Sequence, residues 1–142
     1  MKEINVEAKI ENLTVVSDFL HQITDELICP MGIVMQLEIA IEELFANICY
    51  YAYGDDGGSA CIQIDVEEDP TAITIAFIDS GKPYDPLAKE DPDTTLSAED
   101  RPIGGLGIFM VKKSMDDITY EYRNEKNILK IKKILNSTSN GF

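Results

Sequence analysis

A two-layer α/β sandwich of the α+β kind is the fold this sequence predicts: a mixed, largely antiparallel five-stranded sheet with three helices on one face. Three observations lead there. Apolar and polar residues alternate near both ends of the chain, the period of half-buried strands. Two stretches with helical spacing follow the first strand directly. The remaining strands come in consecutive pairs with no helix between partners, which makes those partners antiparallel.

In order, Ile4, Val6, Ala8 and Ile10 alternate with Asn5, Glu7 and Lys9. Asn12 stands where a helix cap belongs, and Leu13, Val16, Leu20, Ile23 and Leu27 follow at helical spacing. Pro30 and Gly32 separate this helix from a second, from about Ile33 to Tyr53, which Gly54-Asp55-Asp56-Gly57-Gly58 ends with turn chemistry. Ile62, Ile64 and Val66 form one face of a strand whose other face carries Gln63, Asp65 and Glu67. After a turn at Asp69-Pro70, Ala72 to Ile78 is apolar on both faces and reads as a central strand. From Gly81 to Ile103 no period exists, and Pro83, Pro86, Pro92 and Pro102 interrupt the chain. An irregular stretch of that length in a domain is usually functional, and residues 82–103 are expected to form a lid. A helix from about Leu106 to Met115 precedes two alternating strands joined across Asn124-Glu125-Lys126. With no repeat and no linker, residues 1–142 read as one domain.

The 142 residues are enough to bury a core without disulfides, and 44% are apolar. A net charge of −14 argues against nucleic acid as a partner, since phosphate contacts need clustered Lys and Arg. Cys29, Cys49 and Cys61 are odd in number and widely spaced, which favours a reducing compartment. No apolar signal core and no membrane-length run occurs, so a cytoplasmic protein with no membrane partner is expected.

Chemistry concentrates in three short segments. On the second helix, Glu43 and Asn47 are four residues apart and share one flank of the apolar arc formed by Leu37, Ile41, Leu44 and Ile48. Glu38 and Glu42 fall on its solvated back. A carboxylate at the edge of a buried surface can take a proton from a hydroxyl. The Asn47 amide oxygen is a hard neutral ligand suited to magnesium. Asp79-Ser80-Gly81-Lys82-Pro83 follows the central strand, so Asp79 stands at a strand end. There it can accept a hydrogen bond from adenine's exocyclic amino group, while Gly81 lets a base approach the backbone. Gly104-Gly105-Leu106-Gly107 opens the third helix and frees backbone amides for an anion. Arg101 is the nearest cation to that cradle. A −14 protein that binds a polyphosphate needs a divalent cation between the two, and together the segments ask for a magnesium-bound nucleotide. Lys112 and Lys113 complement a helix dipole, and His21 reads as a boundary residue.

The triple E-x-x-x-N, D-x-G-x-P and G-G-x-G, in this element order, resembles the GHKL ATPase superfamily with its Bergerat fold. Within it, residues 39–53, the segment from Ile78 and the segment from Arg101 are similar to stand-alone anti-sigma-factor serine/threonine kinases. The resemblance implies ATP or ADP with Mg2+ as ligands, Asn47 on the metal, Glu43 as general base and Asp79 on the adenine amino group. Gly81 would pack by the base, with Gly104, Gly105, Leu106 and Gly107 along the phosphates. It further implies phosphoryl transfer to an anti-anti-sigma partner of the STAS type, sequestration of a sigma factor, and a homodimer among the allowed assemblies. The alternative is a non-catalytic, nucleotide-gated switch that binds protein partners. Two departures stand out: Tyr50-Tyr51 replaces a His or Arg often found after the metal-binding Asn, and the late Thr that often helps bind adenine is replaced around Asn127-Ile128.

Overall fold

The alternating segments pair as strands, and the helical-period segments cover one side of them. In the computed structural model, which describes residues 1–88 and 106–135, the order is β1 (Lys2–Glu7), α1 (Leu13–Glu26), α2 (Met31–Tyr51), β2 (Ser59–Glu67), β3 (Ala72–Asp79), α3 (Leu106–Ser114), β4 (Asp117–Arg123) and β5 (Lys126–Ile134). The strands lie in the order β1-β2-β3-β5-β4, and all four neighbouring pairs are antiparallel. That narrows the mixed sheet expected from sequence. β3 is central, as its two-faced apolarity requires, and Ala72, Ile73, Ile75, Ala76 and Phe77 are all buried.

Strand register decides which side chains meet the helices. Ile62 opposes Phe77 and Ile64 opposes Ile75, while Ile131 and Leu129 of β5 oppose Ile75 and Phe77. This row packs with Val16 and Leu20 of α1, Leu37, Ile41 and Phe45 of α2, and Val111 of α3 in one core. Continuing along the same row, Asp79 opposes Asn127. Because the side-chain period is two, both polar residues point to the helix side, at the end of the sheet nearest the last turns of α2.

Several boundaries differ from expectation, each for a local reason. β1 stops at Glu7, and Ile10–Asn12 turns as a short 3-10 segment running directly into α1. Asn12 therefore does not cap with its side chain; its amide donates to the Glu7 carbonyl at 2.9 Å. α2 starts at Met31, because the Pro30 carbonyl accepts from the Ile33 and Val34 amides, both at 3.0 Å. Gly32 is thus inside the first turn rather than before it. Val66, expected on the buried face of β2, is exposed. Glu38 is not on a solvated back but pairs with His21 of α1 and accepts from the Ser17 hydroxyl at 3.5 Å.

Of the expected lid, residues 82–88 are described, with a 3-10 turn at Pro86–Ala88; its remainder lies outside the described residues. No described helix is long and apolar enough to cross a membrane.

Candidate functional site

The site forms where the C-terminal half of α2 passes over the ends of β3 and β5. Leu44, Ile48, Phe77 and Leu129 give this cleft an apolar floor, and Asn47, Asp79, Lys82 and Asn127 put polar groups into it. It is a cleft partly open to solvent rather than an enclosed cavity. Asp79 is 7% exposed. Its Oδ1 accepts from the Gly81 backbone amide and from the Asn127 side-chain amide, both at 2.9 Å. Among the described residues these are the hydrogen bonds it receives, which leaves Oδ2 as an acceptor at the cleft.

Asn47 holds the most telling atom. Its side-chain nitrogen is buried without a hydrogen-bond partner, alone in this among the side-chain polar atoms of the described residues. Leaving a buried amide unpaired costs about 1–3 kcal/mol. A half-turn of that amide exchanges nitrogen for oxygen in nearly the same space, presenting a hard ligand instead. No group of three His, Cys, Asp or Glu among the described residues is arranged to hold a metal. Magnesium needs no such cage, because it is typically held through one or two side chains plus substrate phosphates and water. The orphaned amide therefore fits the expected metal and nucleotide.

One turn earlier on α2, the Glu43 carboxylate lies against the backbone of Gly107 in the first turn of α3. A Cβ at Gly107 would meet the carboxylate end of Glu43, which would have to swing aside to admit it. The start of α3 favours the negative charge. At Gly81 a Cβ would strike the Ala52 carbonyl at the end of α2. Lys82 donates its amide to that same carbonyl at 2.9 Å, closing the corner where the chain leaves β3. Arg101, Gly104 and Gly105 lie outside the described residues; Leu106 opens α3.

Several residues of this region carry no signal as motifs. Tyr53 donates to the Ser59 carbonyl at 2.6 Å and accepts from the Ser80 amide at 2.8 Å, tying β2 to the turn after Asp79. The Tyr51 ring stacks at 5.4 Å on Tyr84. Tyr120 donates to Asn127 Oδ1, and burial pushes its phenol above the ordinary value, so it remains a donor at neutral pH. Asn127, rather than Ile128, occupies the cleft, because it is the residue opposite Asp79. The departure at this position in the sequence was the only pointer to it.

With this geometry in place, comparison with known proteins is direct. The family model for the histidine kinase-like ATPase domain matches residues 6–133. The chain is 27% identical over 136 residues to the serine-protein kinase RsbW of Bacillus cereus (strain Q1), covering 93% of this chain and 84% of the relative. The RsbW of Bacillus anthracis (strain CDC 684 / NRRL 3495) is 26% identical over the same length. A crystal structure of the RsbU and RsbW domains of a Mycobacterium tuberculosis protein superposes with a TM-score of 0.65 at 14% identity, which shows the shared fold. That match covers 95% of this chain and 33% of the longer one, so this chain spans about a third of it. The chain belongs to the histidine kinase-like ATPase family, of the GHKL type with the Bergerat fold. Within that family it is homologous to the RsbW serine-protein kinases.

Proposed function

We propose that this protein binds ATP with magnesium and phosphorylates a serine or threonine of a small anti-anti-sigma partner of the STAS type, and that it sequesters a sigma factor. The observation that carries the reading is the unpaired, buried amide of Asn47, set between the Glu43 carboxylate and the Asp79 cleft on one side of α2. Each group has a distinct task. Asp79 Oδ2 accepts the base's amino hydrogen, the apolar floor takes the ring face, and Asn47 would hold the metal through its amide oxygen. Magnesium, when bound, would neutralise phosphate charge that a −14 chain would otherwise repel. Glu43 accepts the proton of the attacking hydroxyl as its oxygen bonds to the γ-phosphorus and the bond to the β-phosphate oxygen breaks, leaving ADP. Asn47 with Asp79, Gly81, Arg101, Gly104, Gly105, Leu106 and Gly107 is the proposed nucleotide-binding set, and a reducing cytoplasm is the proposed location.

One observation favours the second reading, a nucleotide-gated switch without transfer. Glu43 is packed against Gly107, so the carboxylate links α2 to α3 and can signal α3 position rather than take a proton. The two readings separate in one experiment. The protein is mixed with magnesium, γ-labelled ATP and a STAS-type partner, with Glu43→Gln in parallel. The kinase reading expects label on a partner Ser or Thr, reduced about 10²–10⁴-fold in the variant. Saturable nucleotide binding by both proteins, with no label on any partner, overturns it in favour of the switch.

A further inference from the structure

Asn127 is 6% exposed and uses its whole hydrogen-bonding capacity inside the protein. Its amide nitrogen donates to Asp79 Oδ1 and to the Lys82 carbonyl, both at 2.9 Å. Its oxygen accepts from the Tyr84 amide at 3.1 Å and from the Tyr120 hydroxyl. Two donors and two acceptors are all an Asn side chain offers, so no capacity remains for a ligand. Its effect on the cleft must therefore pass through the groups it holds.

Those groups are the ones that would read a base. Asp79 Oδ1 is engaged twice, by Gly81 and Asn127, which stops the carboxylate from turning and presents Oδ2 alone. A fixed carboxylate oxygen accepts but cannot donate, so it rewards an exocyclic amino group and penalises a carbonyl at the same place. The same Asn127 amide holds the backbone at Lys82 and Tyr84, and Tyr84 stands beside the cleft with its ring on Tyr51. We propose that Asn127 is the positioning residue for base selection: it sets Asp79 to read a 6-amino purine against a 6-oxo purine and keeps the adjacent cleft wall in register with that reading. This rests on the nucleotide reading above and adds to it a residue with no ligand contact of its own.

The test compares ADP with GDP as probes, each with magnesium, by titration calorimetry on the full chain. Wild type is expected to favour ADP by about a hundredfold or more, with a ratio nearly flat from about pH 5.5 to 8.5. Asn127→Ser, which removes the reach to Asp79 without adding charge, is expected to cut that ratio by about tenfold. Asn127→Asp is the sharper probe. The introduced carboxyl would face Asp79, and two adjacent carboxylates share a proton with a raised pKa. Below that pKa the protonated group again donates to Asp79; above it the pair repels and the setting is lost. ADP preference should then fall toward alkaline pH and recover toward acid pH in this variant alone. Among the described residues, the other ionisable groups around the position are Lys82, Tyr84, Asp85, Tyr120, Tyr122 and Lys126, and they are common to all three proteins. Folded variants that keep the wild-type ADP-to-GDP ratio and its flat pH profile overturn the inference while leaving the nucleotide reading intact. Wild type that takes up neither nucleotide overturns both.

Discussion

The Asn47 amide and the Asp79 carboxylate show how much a single buried polar group can say. Asn47→Ala removes the orphaned amide and its desolvation cost, so folding stability should hold or rise slightly while magnesium-dependent ADP binding weakens by about tenfold or more. Thermal melts with and without Mg-ADP check both halves, and an unchanged ligand-induced shift in the variant would count against the role. Glu43, Asn47, Asp79 and Gly81 stood out in sequence because helical spacing and strand-end position are local properties. Tyr120 did not, and Asn127 showed only as a departure from the family pattern, since their roles depend on the β3–β5 and β4–β5 registers, which place Asn127 opposite Asp79 and Tyr120 opposite Leu129. Glu38 was misplaced for a related reason: a helical wheel finds the flank but not the neighbouring helix that covers it.

Among the elements, helix ends departed most from the sequence reading, and they hold the clearest stability lever. α1 ends with the Cys29 amide on the Thr24 carbonyl at 3.0 Å and the Ile28 amide on the Asp25 carbonyl at 3.2 Å, the paired bonds of a Schellman motif. The position between them needs a left-handed backbone, and Ile28 supplies it with φ of 50°. A β-branched residue pays about 1–2 kcal/mol there, whereas glycine does not. Ile28 is also 89% exposed, so its side chain adds little burial to offset this. Ile28→Gly is expected to stabilise the protein by about 1 kcal/mol, read as a melting temperature higher by about 3–5 °C. A lower melting temperature would mean the exposed side chain makes contacts that matter. The opposite chemistry appears at the β4–β5 hairpin, where Asn124 and Glu125 have φ of 55° and 62°, and Asn is among the residues suited to that conformation.

Over the whole molecule, one antiparallel sheet supports both the core and the cleft, so stability and ligand binding separate along the same strand. Ile75, fully buried in the middle of β3, belongs to the core, and Ile75→Ala should cost about 2–5 kcal/mol in chemical denaturation. Asp79, four residues further along, belongs to the cleft. The overall architecture was legible because β3 is apolar on both faces and must be central, while strand pairing without intervening helices requires antiparallel neighbours. The most direct measurement of the central claim is calorimetric titration of Mg-ADP into wild type and Asp79→Asn, a variant that keeps the side chain's shape but removes its charge. Saturable uptake by wild type, weakened at least about tenfold in Asp79→Asn, is the predicted result. No saturable heat from wild type, or equal uptake by both proteins, would contradict it.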